Sequence, residues 1–382
     1  MTVRLGIIGI GNMGTAHCRL VQNIPDLDLV AVSDALPGRV DKLTERYGCL
    51  GYLDPTELIK SNTCDAVLIA TPHYDHTRIG IEALKHGLHV MMEKPISVHK
   101  ADCEKLIKAH RNPDQIFAAM FNQRTNRQYQ KIRSMIQDGT LGAVQRFSWT
   151  ITDWFRPQSY YASGGWRATW TGEGGGVLLN QSPHQLDLLQ WLFGMPQQVQ
   201  AFCEFGKFHD IEVEDAVTAR LLYASGSEGL FVTTTGEAPG LNRLEIAAQN
   251  GLLVYDTADG EIQFKRNAKP IGQALIENAP FEMPETESVT VVVETEGRQH
   301  AEVLENFGGA ILRGEPLIAP AAEGIHSVEL ANAMLLSGVT NKPISLPLNS
   351  RRYANQLKKW VATSRYKPGL IETKVQDISN NI

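Results

Sequence analysis

The sequence predicts an α/β protein whose first half is a doubly wound parallel sheet. Its second half reads as an α+β domain with a mostly antiparallel open sheet. Two observations carry this. Through residue 121, short apolar runs alternate with helical stretches, as strand–helix–strand crossovers require. Beyond it, strand-like runs follow one another across turns, which antiparallel neighbours permit and parallel ones do not. The pattern changes at Asn122, so the expected domains are residues 1–122 and 123–382.

The runs can be taken in order. Residues 3–8 (VRLGII) are continuous in apolar character, as in a strand buried on both faces. A glycine turn follows, then a helix from about Met13 to Asn23. Residues 27–33 (LDLVAVS) lead to Asp34, and a helix follows Pro37. Residues 66–70 (AVLIA) end in Thr71-Pro72, before a helix running through His86. Residues 88–92 and 116–121 supply the fourth and fifth strands, with a helix over 100–110 between them. In the second half, strands are expected over 146–154, 199–205, 216–223, 229–234 and 288–294. Residues 244–248 pair with 252–255 across Asn250-Gly251, a strong hairpin dipeptide. From Arg351 the chain reads as one amphipathic helix and a polar end.

The composition limits the function classes. Lys and Arg total 36 against 42 Asp and Glu, a net charge of −6. Such a chain has no electrostatic hold on nucleic acid or an anionic membrane. Five dispersed cysteines without a Cys-x-x-Cys speak against a disulfide framework or zinc ribbon and fit a reducing compartment. No apolar run approaches the roughly 20 residues that span a bilayer, and residues 1–8 pass straight into a strand. A cytoplasmic location is expected. His73 and His76 lack a third ligand nearby, so no metal is expected.

Gly9-Ile10-Gly11-Asn12-Met13-Gly14 is a G-x-G-x-x-G between a strand and a helix, with Asp34 closing the next strand. In that context it is a dinucleotide fingerprint, and residues 1–122 become an NAD(P)-binding Rossmann domain. Gly9 makes the turn, Gly11 admits the pyrophosphate and Gly14 lets helix and strand pack. Asp34 accepts from ribose hydroxyls and repels a 2′-phosphate, favouring NAD over NADP. Arg39 softens this, being either a recruiter of a 2′-phosphate or a solvated helix charge.

Glu93-Lys94-Pro95 ends the fourth strand at the sheet's carboxyl edge, where ligands bind. Lys94 is either a donor to a substrate oxygen or half of a surface ion pair. Ser182-Pro183 opens a helix that stops at Gly194, with Ser182 as N-cap. His184 falls in its first turn, where the helix dipole disfavours imidazolium, leaving a neutral ring able to take a proton. Asp187, three residues on, is placed to orient that ring or hold a substrate hydroxyl. Trp154, Arg156, Tyr160, Trp166 and Arg167 lie in an aromatic stretch. It suits the faces of a pyranose, with the arginines available to a carboxylate or phosphate. It equally suits a loop anchored on the sheet.

Gly9-x-Gly11-x-x-Gly14, Glu93-Lys94-Pro95 and Gly174-Gly175-Gly176 leading to His184-x-x-Asp187 together resemble the Gfo/Idh/MocA oxidoreductases. The likeness runs from Val3 to about Pro347. It implies a Rossmann domain, and a second domain whose open sheet carries substrate and forms a homodimer or homotetramer interface. It implies hydride transfer between a nicotinamide cofactor and a secondary alcohol of a sugar or cyclitol. Lys94 matches the family's catalytic lysine and His184 its acid/base histidine. Asn180 stands where many members have an aspartate, which removes a charge from the relay but keeps hydrogen bonding, so that Lys94 and Asn180 would hold the reacting oxygen. Thr71, Pro72 and His76 resemble the loop passing the nicotinamide ribose, although His73 stands where asparagine is frequent. Asn122 and Arg124 resemble the turn into the second domain, and Trp166-Arg167 the segment reaching nicotinamide or substrate. The expected activity is an NAD-dependent dehydrogenase of a sugar, glycoside or inositol. The alternatives are an NAD-recycling redox glycosidase and a non-catalytic dinucleotide sensor.

Overall fold

The computed structural model describes residues 2–293 and 295–365. Six parallel strands form the first sheet: β1 (Val3–Ile8), β2 (Leu27–Ser33), β3 (Leu50–Tyr52), β4 (Ala66–Ile69), β5 (His89–Met92) and β6 (Phe117–Ala119). Their order is β3-β2-β1-β4-β5-β6, reversing direction of growth between β1 and β4. Helices α1 (Asn12–Val21) and α2 (Pro37–Tyr47) cover one face of the sheet. Helices α3 (Pro55–Lys60), α4 (His73–Lys85) and α5 (Lys100–Ala109) cover the other. Burial on both faces explains the continuous apolar runs.

The short β3 and α3 have no counterpart in the sequence reading. β3 is a three-residue edge strand whose Leu50 is exposed, so no apolar run marks it. The strand expected over 116–121 narrows to β6, because Met120 and Phe121 turn into the 3₁₀ segment Asn122–Thr125.

The chain continues through α6 (Arg127–Gln137), β7 (Val144–Ile151), α7 (Gln158–Ala162) and α8 (Pro183–Phe193). Strands β8 (Gln198–Phe205), β9 (Glu214–Leu222), β10 (Glu228–Thr234), β11 (Asn242–Ala248), β12 (Gly251–Asp256) and β13 (Ile262–Asn267) follow. After them come α9 (Ile271–Glu277), β14 (Thr286–Val291), α10 (Gln299–Arg313), α11 (Gly324–Thr340), β15 (Ile344–Ser345) and α12 (Ser350–Ala362). Among the described residues the second sheet runs β14-β13-β12-β11-β7-β10-β9-β8-β15, with only β7 and β10 paired in parallel. Alternating burial along β9, β11 and β12 marks one inner face, packed against α6, α8 and α11.

The β11–β12 hairpin forms as expected, but Ala248 pairs with Gly251, so the turn residues are Gln249 and Asn250. α11 is buried nearly all round, so it shows no amphipathic period. Helix α10 returns to the first sheet, where Val303, Leu304 and Phe307 pack with Val3, Leu5 and Leu27. Ala119 N–H then donates to the Ala319 carbonyl at 2.9 Å, adding a piece of late chain beside β6. The amphipathic helix expected near the carboxyl end is α12, and residues 366–382 lie outside the described residues.

Candidate active site

The carboxyl ends of β1, β2, β4 and β5 meet in one cleft at the reversal of strand order. Gly9 leaves β1 at φ +86°, and a Cβ there would stand 2.6 Å from the Thr71 nitrogen. At Gly14 a Cβ would meet the Gly9 carbonyl oxygen at 1.9 Å, so glycine lets α1 lie on the turn. Gly11 is different. The heavy atom nearest its Cβ position is Arg39 Nη1, at 3.8 Å, so internal packing does not demand glycine there. A Cβ would fill space over which a pyrophosphate must reach the backbone.

Helix α1 starts without a side-chain cap, which suits its first turn to an anion. Asn12, Met13 and Pro72 complete this wall, and the Thr71 hydroxyl is buried in it without a protein partner. The donor set fits NAD. Asp34 accepts from the Ile10 and Leu36 N–H groups, each at 3.0 Å, and keeps lone pairs for ribose hydroxyls. Arg39 lines the cleft and lies 3.5 Å from Asp34, as an ion-pair partner rather than a solvated charge. The two His76 ring nitrogens each lie 2.8 Å from a carbonyl oxygen, of Thr71 and Pro95, tying the β4 and β5 loops together.

Lys94 follows β5, and its Nζ donates to the Asn180 backbone carbonyl at 2.8 Å. Burial lowers its pKa, opposed by the charges of Glu93 and Glu173. Glu93 accepts from the Lys94 N–H at 3.0 Å and lies 2.6 Å from His17 Nε2, both side chains buried. Burial pushes the Glu93 carboxyl up, but His17 and the nearby cations outweigh it and hold the group at about 2. His184, in the first turn of α8, is buried and its Nδ1 has no partner. Its pKa falls well below the usual range, first through burial and then through Lys94 and His300. Desolvation is thus the largest cause of its neutrality.

Five expectations, on Ser182, Asp187, Arg124, Asn122 and Asn180, are corrected here. Ser182 occupies the N-cap position of α8 but makes no cap, because its hydroxyl bonds Thr233 Oγ1 at 2.9 Å. Asp187 does not orient His184: both of its oxygens accept from Arg124, at 2.7 Å each, in a pair sealed from solvent. Arg124 also reaches Glu323 at 2.6 Å and lies between the Phe121 and Trp191 rings, so neither it nor Asp187 faces substrate. Asn122 donates to Gln299 Oε1 at 2.8 Å, away from the residues lining the cleft. The Asn180 side chain is turned to the Glu173 carboxylate rather than to Lys94.

The aromatic stretch divides. Trp149 is core, donating to Asn242 at 3.0 Å, and Trp170 stacks on Trp360. Trp166 and Arg167 line the cleft, with Trp166 edge-on to His73. Tyr160 stands behind them, accepting from Arg167 at 2.8 Å and from Gln181 at 3.3 Å. Arg156 lies over both Tyr160 and Trp154. Among the described residues no cluster of ligands suits a metal, and no helix is long and apolar enough to cross a membrane.

Residues 3–121 match the oxidoreductase family with an NAD-binding Rossmann fold, and residues 129–254 match the Gfo/Idh/MocA C-terminal domain. The chain belongs to the Gfo/Idh/MocA oxidoreductases. It is 28% identical to the myo-inositol 2-dehydrogenase of Thermotoga maritima over 264 residues, 66% of this chain and 75% of that protein. It is 25% identical to the inositol 2-dehydrogenase of Rhizobium meliloti over 352 residues, 91% of this chain and all of that protein. The WlbA dehydrogenase of Chromobacterium violaceum, solved with NADH and UDP-GlcNAcA, has a TM-score of 0.78 at 27% identity. That match covers 91% of this chain and 97% of WlbA.

In this Gfo/Idh/MocA chain one residue that sequence reasoning missed is Glu173. It is buried, accepts from the Ala168 N–H at 2.6 Å and from the Asn180 amide, and acts on Lys94 through its charge. Seven residues before Asn180, it supplies the carboxylate that Asn180 lacks. Its only mark in the sequence is its place ahead of Gly174-Gly175-Gly176. Glu214, which holds the Gly176 N–H at 2.9 Å and the Leu178 N–H at 3.0 Å, was missed likewise.

Proposed function

We propose that the chain is an NAD-dependent dehydrogenase that reversibly oxidises a secondary hydroxyl of a sugar, glycoside or inositol. The observation that carries this is Lys94 at the inner end of the dinucleotide cleft, fixed by the Asn180 carbonyl and within the electrostatic reach of a neutral His184. The inositol 2-dehydrogenase relatives support it. Lys94 donates to the substrate oxygen and stabilises the negative charge that grows there. His184 takes the hydroxyl proton in oxidation and returns it in reduction. Glu93 and Glu173 oppose the loss of the Lys94 proton that burial favours. Gly9, Gly11, Asn12, Met13, Asp34, Thr71 and Pro72 would hold the cofactor. Bound NAD supplies the hydride acceptor.

The test is NADH formation across inositols, aldoses and glycosides. Lys94→Ala and His184→Ala should each lower turnover by about 10²- to 10⁴-fold while NADH still binds by fluorescence. Unchanged turnover removes the residue from the chemistry. Free sugar released without net NADH would replace the dehydrogenase by the redox glycosidase. For assembly, a second copy would dock on the outer face of the open sheet, where Phe202, Leu230 and Leu252 are exposed. Light scattering with Leu230→Glu tests that.

A further inference from the structure

Beside the cleft, Arg156 and Arg167 lie against one aromatic ring. Their guanidinium carbons stand 5.1 and 4.5 Å from the centre of Tyr160. Among the described residues each guanidinium makes a single hydrogen bond within the protein, that of Arg156 to the Phe155 carbonyl at 3.0 Å and that of Arg167 to the Tyr160 hydroxyl at 2.8 Å. The Nε atoms of both are buried and unpartnered, and among the described residues neither guanidinium is in an ion pair. Arg124 shows the contrast, saturated by Asp187 and Glu323.

The carboxylates nearest in influence are Asp153 for Arg156 and Glu173 for Arg167. Both are beyond ion-pair range, and burial raises the pKa of each. Arg156 and Arg167 also depress Lys94, so both lie within its electrostatic field. Tyr160 accepts from Arg167 and Gln181, which leaves its own O–H free to donate outward.

Half-buried guanidinium groups without an anion are costly, and their fork of donors matches a carboxylate or phosphate. The dinucleotide phosphates do not meet this need. Their cradle is the Gly9–Gly14 turn, and Arg156 does not line that cleft. We infer that the substrate is itself an acid, a sugar or cyclitol bearing a carboxylate or phosphate. Arg156, Arg167 and the Tyr160 hydroxyl hold that group while the reacting hydroxyl meets Lys94. This rests on the dehydrogenase reading and narrows it, because anchoring the acid at one end of the ring fixes which hydroxyl arrives at the other.

The experiment compares each acid with its neutral parent on the full chain: methyl glucuronide with methyl glucoside, glucose 6-phosphate with glucose, and an inositol monophosphate with inositol. NADH formation gives kcat/KM, and calorimetry on the NADH-loaded protein gives affinity. One acid should exceed its parent by about tenfold or more, and the successful pair identifies the anion. In R156Q that preference should fall by about tenfold, the size of one charge-assisted hydrogen bond, with the loss in KM and with NADH affinity intact as proof of folding. Neutral parents equal to their acids, or a preference surviving in the R156Q/R167Q double variant, overturn the inference. If no compound is oxidised although NADH binds, the dehydrogenase reading fails by itself. Calorimetric binding of an acid that R156Q abolishes would still uphold the anion site, and no such binding would sink it.

Discussion

Replacing Glu173 with glutamine keeps an acceptor for the Ala168 N–H and removes a charge that raises the Lys94 pKa. Burial already lowers Lys94, so its pKa should fall further. The alkaline limb of kcat/KM for oxidation, where Lys94 loses its proton, should then move to lower pH in E173Q. A pH–rate profile reads this, and an unmoved limb would show that Glu173 serves only the backbone. Glu214 bears on stability instead. Burial pushes its carboxyl up to about 7, from an ordinary glutamate's 4.5. The neutral form's contribution is full below pH 4.5 and is lost as pH rises through 7. The thermal midpoint should therefore drop between pH 5 and pH 8, and less so in E214Q. The positions of Lys94, just past β5, and His184, opening α8, were legible in the sequence because each lies at the end or start of an element that the pattern itself reveals. Glu173 and Glu214 were not, since their importance comes from burial against loops that only the folded chain assembles.

At the scale of elements, α8 is held by the bond between Asp187 and Arg124. Removing one member of a sealed ion pair costs about 3–5 kcal/mol, and because Glu323 still pairs Arg124 the loss falls at the low end. Asp187→Asn should lower unfolding free energy by about 3 kcal/mol in a denaturant titration. It should also reduce kcat more than NADH affinity, because α8 carries His184 while the dinucleotide wall belongs to the other sheet. Equal losses in both would mean that α8 is not separately positioned. The sequence showed Asp187 on the His184 face of the helix. It did not show that Arg124, 63 positions earlier, would claim both oxygens. The parallel strands were readable because burial on two faces makes them continuously apolar. β13 shows only one alternation of two inward residues, Ile262 and Phe264, too short to stand out, and α11, buried nearly all round, lacks the period a helix is read by.

At the scale of the whole molecule, the first sheet is not finished by the residues that form its strands. Helix α10 covers Val3, Leu5 and Leu27, and the Ala319 carbonyl caps β6, so the late chain completes the early lobe. A fragment of residues 1–122 should therefore bind a hydrophobic dye and melt without a cooperative transition. A sharp transition would show that α10 is dispensable. The same feature has a meaning for biosynthesis. A nascent chain grows at about 5–20 residues per second, so roughly tens of seconds separate the emergence of β6 from that of α10. Throughout that interval the nucleotide lobe stands on the ribosome with an apolar face uncovered. The order of synthesis opposes the order of packing, and the protein depends for that interval on whatever shields its unfinished half.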